Sequence, residues 1–215
     1  MSNPEVDLAL SQVQAAAYTK KINAGSWNDD YENLISEWGE KAAGLRFMHN
    51  NSSGYWRGIS NTLTLYTIIA TTVASAASLV AGSIDDISAK DTVLFTAGGI
   101  GLLTSFIQSL KKFYNADEKA AEHGAIAKQF GSFYRYITLQ MGMSREDRRP
   151  SDELAEFALK EYERLQQEAL NLRPADIKLY KKTFTKSLSA MPDNCRDDLS
   201  IAIYGRKSEI SEDII

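Results

Sequence analysis

The chain has 215 residues, a formal net charge of -4 and an isoelectric point near 5.3. This acidic balance argues against a general nucleic-acid-binding protein, which carries a basic surface, so we expect no nucleic-acid partner. The single cysteine, Cys195, excludes an intramolecular disulfide, and the first fourteen residues have no basic segment that would predict a signal peptide.

Residues 1–26 form a polar leader with scattered aliphatic side chains and an alanine run. Two interpretations are open for this leader. It is either a short helix that ends near Gly25 or a mobile segment that packs weakly.

Residues 27–57 predict an amphipathic helix. Asn28 or Asp29 is a suitable N-cap, and acidic side chains follow in the first turn, where the helix dipole favours them. Apolar and aromatic side chains recur at three- and four-residue steps from Tyr31 to Ile59, and no proline interrupts them. We therefore expect one long helix that continues into the next segment.

Residues 58–84 and 92–110 contain no charged side chain, and the link 85–91 contains three acids and one lysine. A helix needs about 20 mostly apolar residues to cross a bilayer, and both segments satisfy this length. The short link predicts an antiparallel, two-span transmembrane hairpin in an otherwise all-α protein. The hydroxyl groups of the first span leave one alternative open, a buried helix of a soluble domain.

The charges that flank the hairpin predict its orientation. Basic residues precede the first span and follow the second, so the positive-inside rule places both termini in the cytoplasm and residues 85–91 outside. We expect a multi-pass integral membrane protein whose interfacial aromatic and basic side chains anchor the spans. These interface anchors are Tyr55, Trp56, Arg57, Lys111 and Lys112.

Small residues recur at every fourth position of both spans. Such stripes let helix backbones approach closely in lipid, so we expect the spans to pair with each other or with copies of themselves in a homo-oligomer. The predicted helix-packing residues are Ala70, Ala74, Ser78 and Gly82 in the first span, and Ala97, Gly101, Ser105 and Ser109 in the second. Hydroxyl side chains of the first span have two open roles, interhelical hydrogen bonding and pore lining. They are Thr64, Thr67, Thr71, Ser75 and Ser78.

Residues 111–190 predict cytoplasmic helices that pack as a bundle. One helix extends from Phe113 to Met141, and Ser151 is placed to cap a second that reaches Leu172. Pro174 begins a third, whose lysine face is either an ordinary solvated surface or a binding site for anionic lipid. Those lysines are Lys178, Lys181, Lys182 and Lys186. Residues 191–215 read as a polar tail that orders only with a protein partner.

No residue pattern predicts an enzyme. The chain has two histidines, His49 and His123, and the hairpin topology places them on the same side of the membrane. They are candidates for a pH-sensitive contact or a metal pair, but structural packing is the simpler interpretation because no further cysteine or carboxylate ligands accompany them. We expect no catalytic residue, cofactor or metal.

The chain resembles the SLATT domain family, whose members are two-span effectors associated with SMODS and SLOG proteins. The similarity covers roughly Trp27 to Lys186 and leads us to assign residues 27–190 to one SLATT-like domain. It rests on the order and aromatic placement of short segments on both sides of the hairpin. These are Leu34-Ile35-Ser36-Glu37-Trp38, Ala42, Ala43, Leu45 to His49, Tyr55-Trp56, His123, Phe130, Phe133-Tyr134-Arg135-Tyr136-Ile137 and Glu161-Tyr162-Glu163-Arg164-Leu165.

The resemblance implies an oligomeric membrane protein that forms a pore or perturbs a membrane in prokaryotic immunity. Similar two-span proteins also occur in large DNA viruses. We therefore carry a second hypothesis, a membrane-anchored structural protein such as an inner-membrane or minor capsid component of a virion. In that case the helices and tail bind a protein lattice while the hairpin holds the lipid.

Overall fold

The structure is a computed structural model that describes residues 4–184 and 190–196. The described part of the chain contains no strand, and this confirms the all-helical prediction. Its helices are α1 (Pro4–Ser26), α2 (Asp29–Ala81), α3 (Ile87–Tyr114), α4 (Ala116–Gly142), α5 (Ser151–Glu168) and α6 (Pro174–Phe184), followed by a 3-10 turn (Asp193–Cys195).

The predicted long helix is present as α2, which has 53 residues and is therefore about 80 Å long. Asn28 caps it, because its side-chain oxygen accepts a hydrogen bond from the backbone N–H of Tyr31 at 2.8 Å. The two halves of this helix have different packing partners. Residues 29–57 pack with α4, α5 and α6 as a basal bundle, and residues 58–81 pack with α3 as an apolar pair.

The basal bundle contains the hydrophobic core. Ile35, Met48 and Phe130 have no exposed surface, and aromatic side chains surround them. The core side chains are contributed by the helix faces that the three- and four-residue periodicity predicts. They are Trp27, Ile35, Ala42, Leu45, Met48, Ile126, Phe130, Phe133, Ile137, Leu154, Ala158, Tyr162, Leu165, Tyr180 and Cys195.

Asn115 separates α3 from α4. Its backbone is left-handed, with φ at 47°, and asparagine is one of the few residues other than glycine that tolerates this conformation. The predicted helix from Phe113 to Met141 is therefore wrong at its start, since Phe113 belongs to α3. The connection between α2 and α3 is also shorter than residues 85–91, because α3 begins at Ile87 with Asp86 as its N-cap.

Ser151 does not cap α5 as predicted. Its hydroxyl donates to the carbonyl oxygen of Ser26 at 2.6 Å, and its backbone N–H donates to the Ser26 hydroxyl at 3.2 Å. Pro150 occupies the cap position, and the helix ends at Glu168 rather than continuing to Leu172. The two serines thus join the end of α1 to the start of α5, and the leader is helical up to Ser26.

The start of the expected polar tail is part of the fold. Pro192 and Cys195 are fully buried, and the Cys195 sulfur lies 3.6 Å from the sulfur of Met48. Gly44 allows Pro192 to pack closely against α2, because a Cβ at that position would lie 2.7 Å from Pro192 Cγ and 2.9 Å from the Tyr180 hydroxyl. The expectation that residues beyond 191 order only with a partner is therefore wrong for residues 192–196.

Replacing Gly44 with alanine tests whether the tail packs against α2. We expect a loss of stability of about 1–3 kcal/mol, because a new methyl group overpacks the contact with a rigid proline ring. Gly54→Ala is the matched control on the same helix, since a Cβ there meets nothing within 4 Å. That change should stabilise the helix by about 0.5–1 kcal/mol. Thermal unfolding followed by circular dichroism measures both changes, and equal midpoints for the two variants would contradict the packing.

Candidate functional site

The apolar pair is held by a seam of buried and half-buried side chains spaced alternately three and four residues apart. This spacing is the heptad pattern of helices that wind around each other with a left-handed supercoil. The seam residues are Ser60, Leu63, Thr67, Ala70, Ala74, Ala77 and Ala81 on α2, and Val93, Ala97, Ile100, Thr104 and Ile107 on α3.

Most of the predicted helix-packing stripe lies away from this seam. Ala70, Ala74 and Ala97 are on it, whereas five of the predicted residues are exposed. The physical reason is the period: a stripe with four-residue steps drifts around the helix away from a contact that repeats every 3.5 residues. A role for the exposed residues in contacts with other copies stays a prediction. They are Ser78, Gly82, Gly101, Ser105 and Ser109.

The candidate pore-lining hydroxyls are divided between the seam and an open groove. Thr64 and Thr67 are half-buried along the α2–α3 contact. Thr71, Ser75 and Ser78 line a groove of about 640 Å³ on one side of the pair, together with small residues of α3. The structure therefore brings three of the five predicted residues onto one lateral surface, which we call the hydroxyl groove.

The hydroxyl groups of the groove are oriented by their own helix. Thr71 Oγ1 donates to the carbonyl oxygen of Thr67 and Ser78 Oγ to that of Ala74, both at 2.8 Å. A hydroxyl oxygen that donates in this way keeps its lone pairs as acceptors. The groove thus offers acceptor oxygens from these two side chains, an arrangement that suits water or a cation.

The outer surface of the apolar pair is left uncovered by the described part of the chain. An 18-residue apolar window of α2 has none of its residues buried, and the corresponding window of the α3–α4 segment has 11%. Both helices are long and apolar enough to cross a membrane. A core helix of a soluble protein would be mostly buried, so exposure favours a lipid environment.

Polar contacts mark the boundary between the apolar pair and the basal bundle. The Lys111 ammonium lies 2.9 Å from Asp117 and donates to Thr64 Oγ1 at 2.8 Å. The hydroxyl of Ser60 donates to Asp117 as well, and this bond, followed by the charge of Lys111, lowers the pKa of the carboxyl below its ordinary value. Lys111 of α3 therefore contacts both α2 and α4, and its side chain is half-buried.

The remaining predicted anchors lie at the same level of the molecule. The Arg173 guanidinium stacks 3.6 Å from the centre of the Tyr55 ring, and the Lys119 ammonium lies 4.5 Å from the centre of the Trp56 ring. Arg57 and Lys112 are exposed. On α6, Lys178 and Lys182 are exposed and Lys181 is half-buried, whereas Lys186 lies outside the described residues.

The two histidines meet below this boundary. His49 of α2 and His123 of α4 are both buried, and their Nδ1 atoms lie 2.9 Å apart, so one ring donates and the other accepts. Phe130 stacks on the His49 ring with centroids 5.8 Å apart. No group of three or more metal-ligating side chains exists among the described residues, so the pair is a hydrogen-bonded packing contact in this structure.

Burial sets the protonation state of this pair. Burial, followed by the proximity of His123, lowers the pKa of His49 from 6.5 to about 4. The pKa of His123 is also lowered, first by burial and then through a balance between the charges of Asp176 and Arg173. Both rings are therefore neutral near pH 7.

A second buried polar contact was not predicted. Arg173 binds Asp176 through two hydrogen bonds, at 2.8 Å and 2.7 Å, and the Ser52 hydroxyl donates to the same carboxylate. Asp176 has 2% of its surface exposed. The three-residue separation of Arg173 and Asp176 was the one sign of this contact in the sequence. Such pairs are common on exposed helix surfaces, so the spacing alone does not predict burial. Here the contact attaches α6 to α2.

No protein-family model matches the chain, and no curated protein or solved structure matches it either. The SLATT resemblance therefore stays a prediction.

The histidine pair predicts a loss of stability in mild acid. Because the pKa of His49 in the fold lies below 6.5, the unfolded chain binds more protons between pH 6.5 and about 4. The stabilisation is thus complete above pH 6.5 and decreases as the pH falls toward 4, by about 3 kcal/mol in total. Urea unfolding at several pH values measures it.

The His49→Gln variant is the control for this pH dependence. Glutamine retains a donor and an acceptor but does not titrate. When the pH falls from 6.5 to 4.5, the free energy of unfolding of the His49→Gln variant should decrease less than that of the original chain. Parallel pH profiles for the two proteins would contradict the assignment to the histidine pair.

Proposed function

We propose that the chain is an integral membrane protein and that its apolar pair crosses a bilayer as a two-span hairpin. The observation that carries this proposal is the contrast between the two halves of α2. Residues of the basal bundle are packed in a core, whereas the apolar window of the same helix has no buried residue. A surface of this kind is stable where lipid, rather than water, surrounds it.

The charge distribution supports one orientation. The basal bundle, with Arg57, Lys111 and Lys112 at its upper edge, lies on the cytoplasmic side, and the turn that contains Asp85 and Asp86 lies outside. The aromatic side chains Tyr55 and Trp56 then fall at the level of the lipid headgroups. In this orientation we expect both termini to face the cytoplasm.

We further propose that several copies associate through the hydroxyl groove and form a pore or perturb the membrane. Side chains of the seam pack α2 against α3, so a channel needs a second hairpin beside the groove. Thr71, Ser75 and Ser78 line the surface where a neighbouring copy would add a second wall. A water-filled path there would favour cations, because the oriented hydroxyls present acceptor oxygens. The resemblance to SLATT effectors points to the same role.

A structural membrane anchor is the second candidate. One observation favours it: α2 passes without a break from the basal bundle into the apolar pair, so the bundle has a fixed position relative to the hairpin. Such a connection suits a protein that holds a partner at a set distance from a membrane, as in the inner membrane of a virion. This role requires no association through the hydroxyl groove.

Leakage from liposomes separates the two candidates. We expect the purified protein to release a small cationic dye from vesicles, and we expect the Thr71→Leu/Ser75→Leu variant to release at least about tenfold less. Leucine removes the acceptor oxygens and fills the groove, so a water path is lost while hydrophobicity increases. Dye release and the mass of the protein in detergent are measured together.

The matched control is the Thr72→Leu/Ala76→Leu variant, which adds leucines at exposed positions that do not line the groove. It should leak like the original chain. If the inserted protein is a monomer or dimer and the vesicles release no dye, the pore hypothesis is wrong and the anchor hypothesis is favoured. Equal leakage from the two double variants would show that the hydroxyl groove is not the lining.

A further inference from the structure

A cavity lies directly below the boundary between the apolar pair and the basal bundle. It has a volume of about 460 Å³ and is enclosed by α2, α4 and the connection between α5 and α6. Trp56 forms one wall, and the polar lining consists of Lys119, His123, Asn171 and Arg173. We call it the junction cavity.

We propose that the junction cavity binds a phosphate group, either that of an anionic lipid headgroup or that of a soluble phosphorylated ligand. Lysine and arginine side chains are donors only, and the asparagine amide supplies further donors. The described residues that line the cavity include no carboxylate. The lining therefore has one cation, Lys119, and a second, Arg173, whose charge is balanced by Asp176, together with several hydrogen-bond donors, which is a chemistry that recognises phosphate.

Both cations of the lining, Arg173 and Lys119, are held in position before a ligand binds. Arg173 is fixed by its two hydrogen bonds to Asp176 and by the Tyr55 ring, which lies 3.6 Å away. The Lys119 ammonium lies above the Trp56 ring at 4.5 Å and forms no ion pair within the described part of the chain. The ordering cost of binding is lowered by this arrangement, because both side chains are already held by neighbouring groups.

The position of the cavity makes a lipid source accessible. Trp56 lies two residues before Gly58, where the uncharged segment of α2 begins, so the cavity opens at the depth of the headgroups if the apolar pair is inserted. This part of the inference rests on the proposed membrane insertion. Binding of a soluble phosphate does not, so the two sources can be distinguished by experiment.

His123 gives the cavity a built-in reporter. It lines the junction cavity, whereas His49 lines a neighbouring cavity of about 290 Å³ that shares Ala169, Leu170 and Asn171 with it. The charges of Arg173 and Lys119 both lower the pKa of His123. A bound phosphate offsets these charges, so the pKa of His123 rises when the site is occupied.

The test uses the full chain labelled on its two histidines and observed by NMR. Inorganic phosphate is titrated into detergent micelles, with chloride at equal ionic strength as the salt control. In parallel, the protein is placed in nanodiscs of phosphatidylcholine with or without phosphatidic acid. We expect a saturable change in the His123 ring signals that exceeds the change in His49, with an upward shift of the His123 pKa.

Lys119→Gln is the test variant, because within the described part of the chain Lys119 contacts the Trp56 ring and forms no ion pair. We expect it to weaken binding about tenfold, the effect of losing one charge-assisted hydrogen bond. Lys128→Gln is the matched control, an exposed lysine on the same helix that does not line the cavity. Thermal midpoints verify that both variants fold.

Each outcome has one meaning. A response to inorganic phosphate in micelles that depends on Lys119 supports the site with a soluble ligand. A response confined to nanodiscs with phosphatidic acid, again dependent on Lys119, supports the site with a lipid ligand. Unchanged His123 signals in both arms, or equal weakening by Lys119→Gln and Lys128→Gln, would overturn the proposal. Leakage from liposomes is measured independently, so failure here leaves the pore proposal standing.

Discussion

One uninterrupted helix has to satisfy two different surroundings, and the rest of the structure depends on this constraint. In its first half, α2 contributes Ile35, Leu45 and Met48 to a core that four helices share. In its second half it contacts α3, and its other faces remain apolar and exposed. Backbone hydrogen bonds are satisfied inside the helix throughout, so the same element is stable in water and in lipid, and only the side chains change.

Polar contacts cluster at the junction between the two halves, where Ser52, Ser60 and Asp176 are buried and Asp117 is exposed. Ser60, Lys111 and Asp117 join the helices at the upper level, and Ser52, Asp176 and Arg173 join them one turn or two below. The neutral histidine pair lies among these contacts. Buried polar groups of this kind are stable when their partners are complete, and they fix the register of α2 against α4 and α6. A change in charge at this level therefore acts on the position of the hairpin relative to the bundle.

Local features were predictable from the sequence, and long-range ones were not. The Asn28 cap and the length of α2 depend on neighbouring residues, and both were predicted. A contact of His49 with His123 was one open possibility, because the hairpin topology put both residues on the same side of the two spans. Ser151 was misassigned because its partner, Ser26, is 125 residues away. Cys195 lies in a polar stretch whose composition gives no sign of burial, and the neighbouring Pro192 packs against Gly44 on a distant helix. The four-residue stripe failed as a guide to the seam because a two-helix contact selects the 3.5-residue period.

The most direct test of this account is the sidedness of the hairpin. A Cys195→Ser background carries a single new cysteine, either Asp85→Cys in the exposed α2–α3 turn or Lys160→Cys on the exposed face of α5. A membrane-impermeant maleimide is then applied to intact cells and to permeabilised cells. The account predicts that Asp85→Cys reacts in intact cells and that Lys160→Cys reacts only after permeabilisation. Reaction of both positions from the same side of an intact membrane would contradict a hairpin that crosses the bilayer.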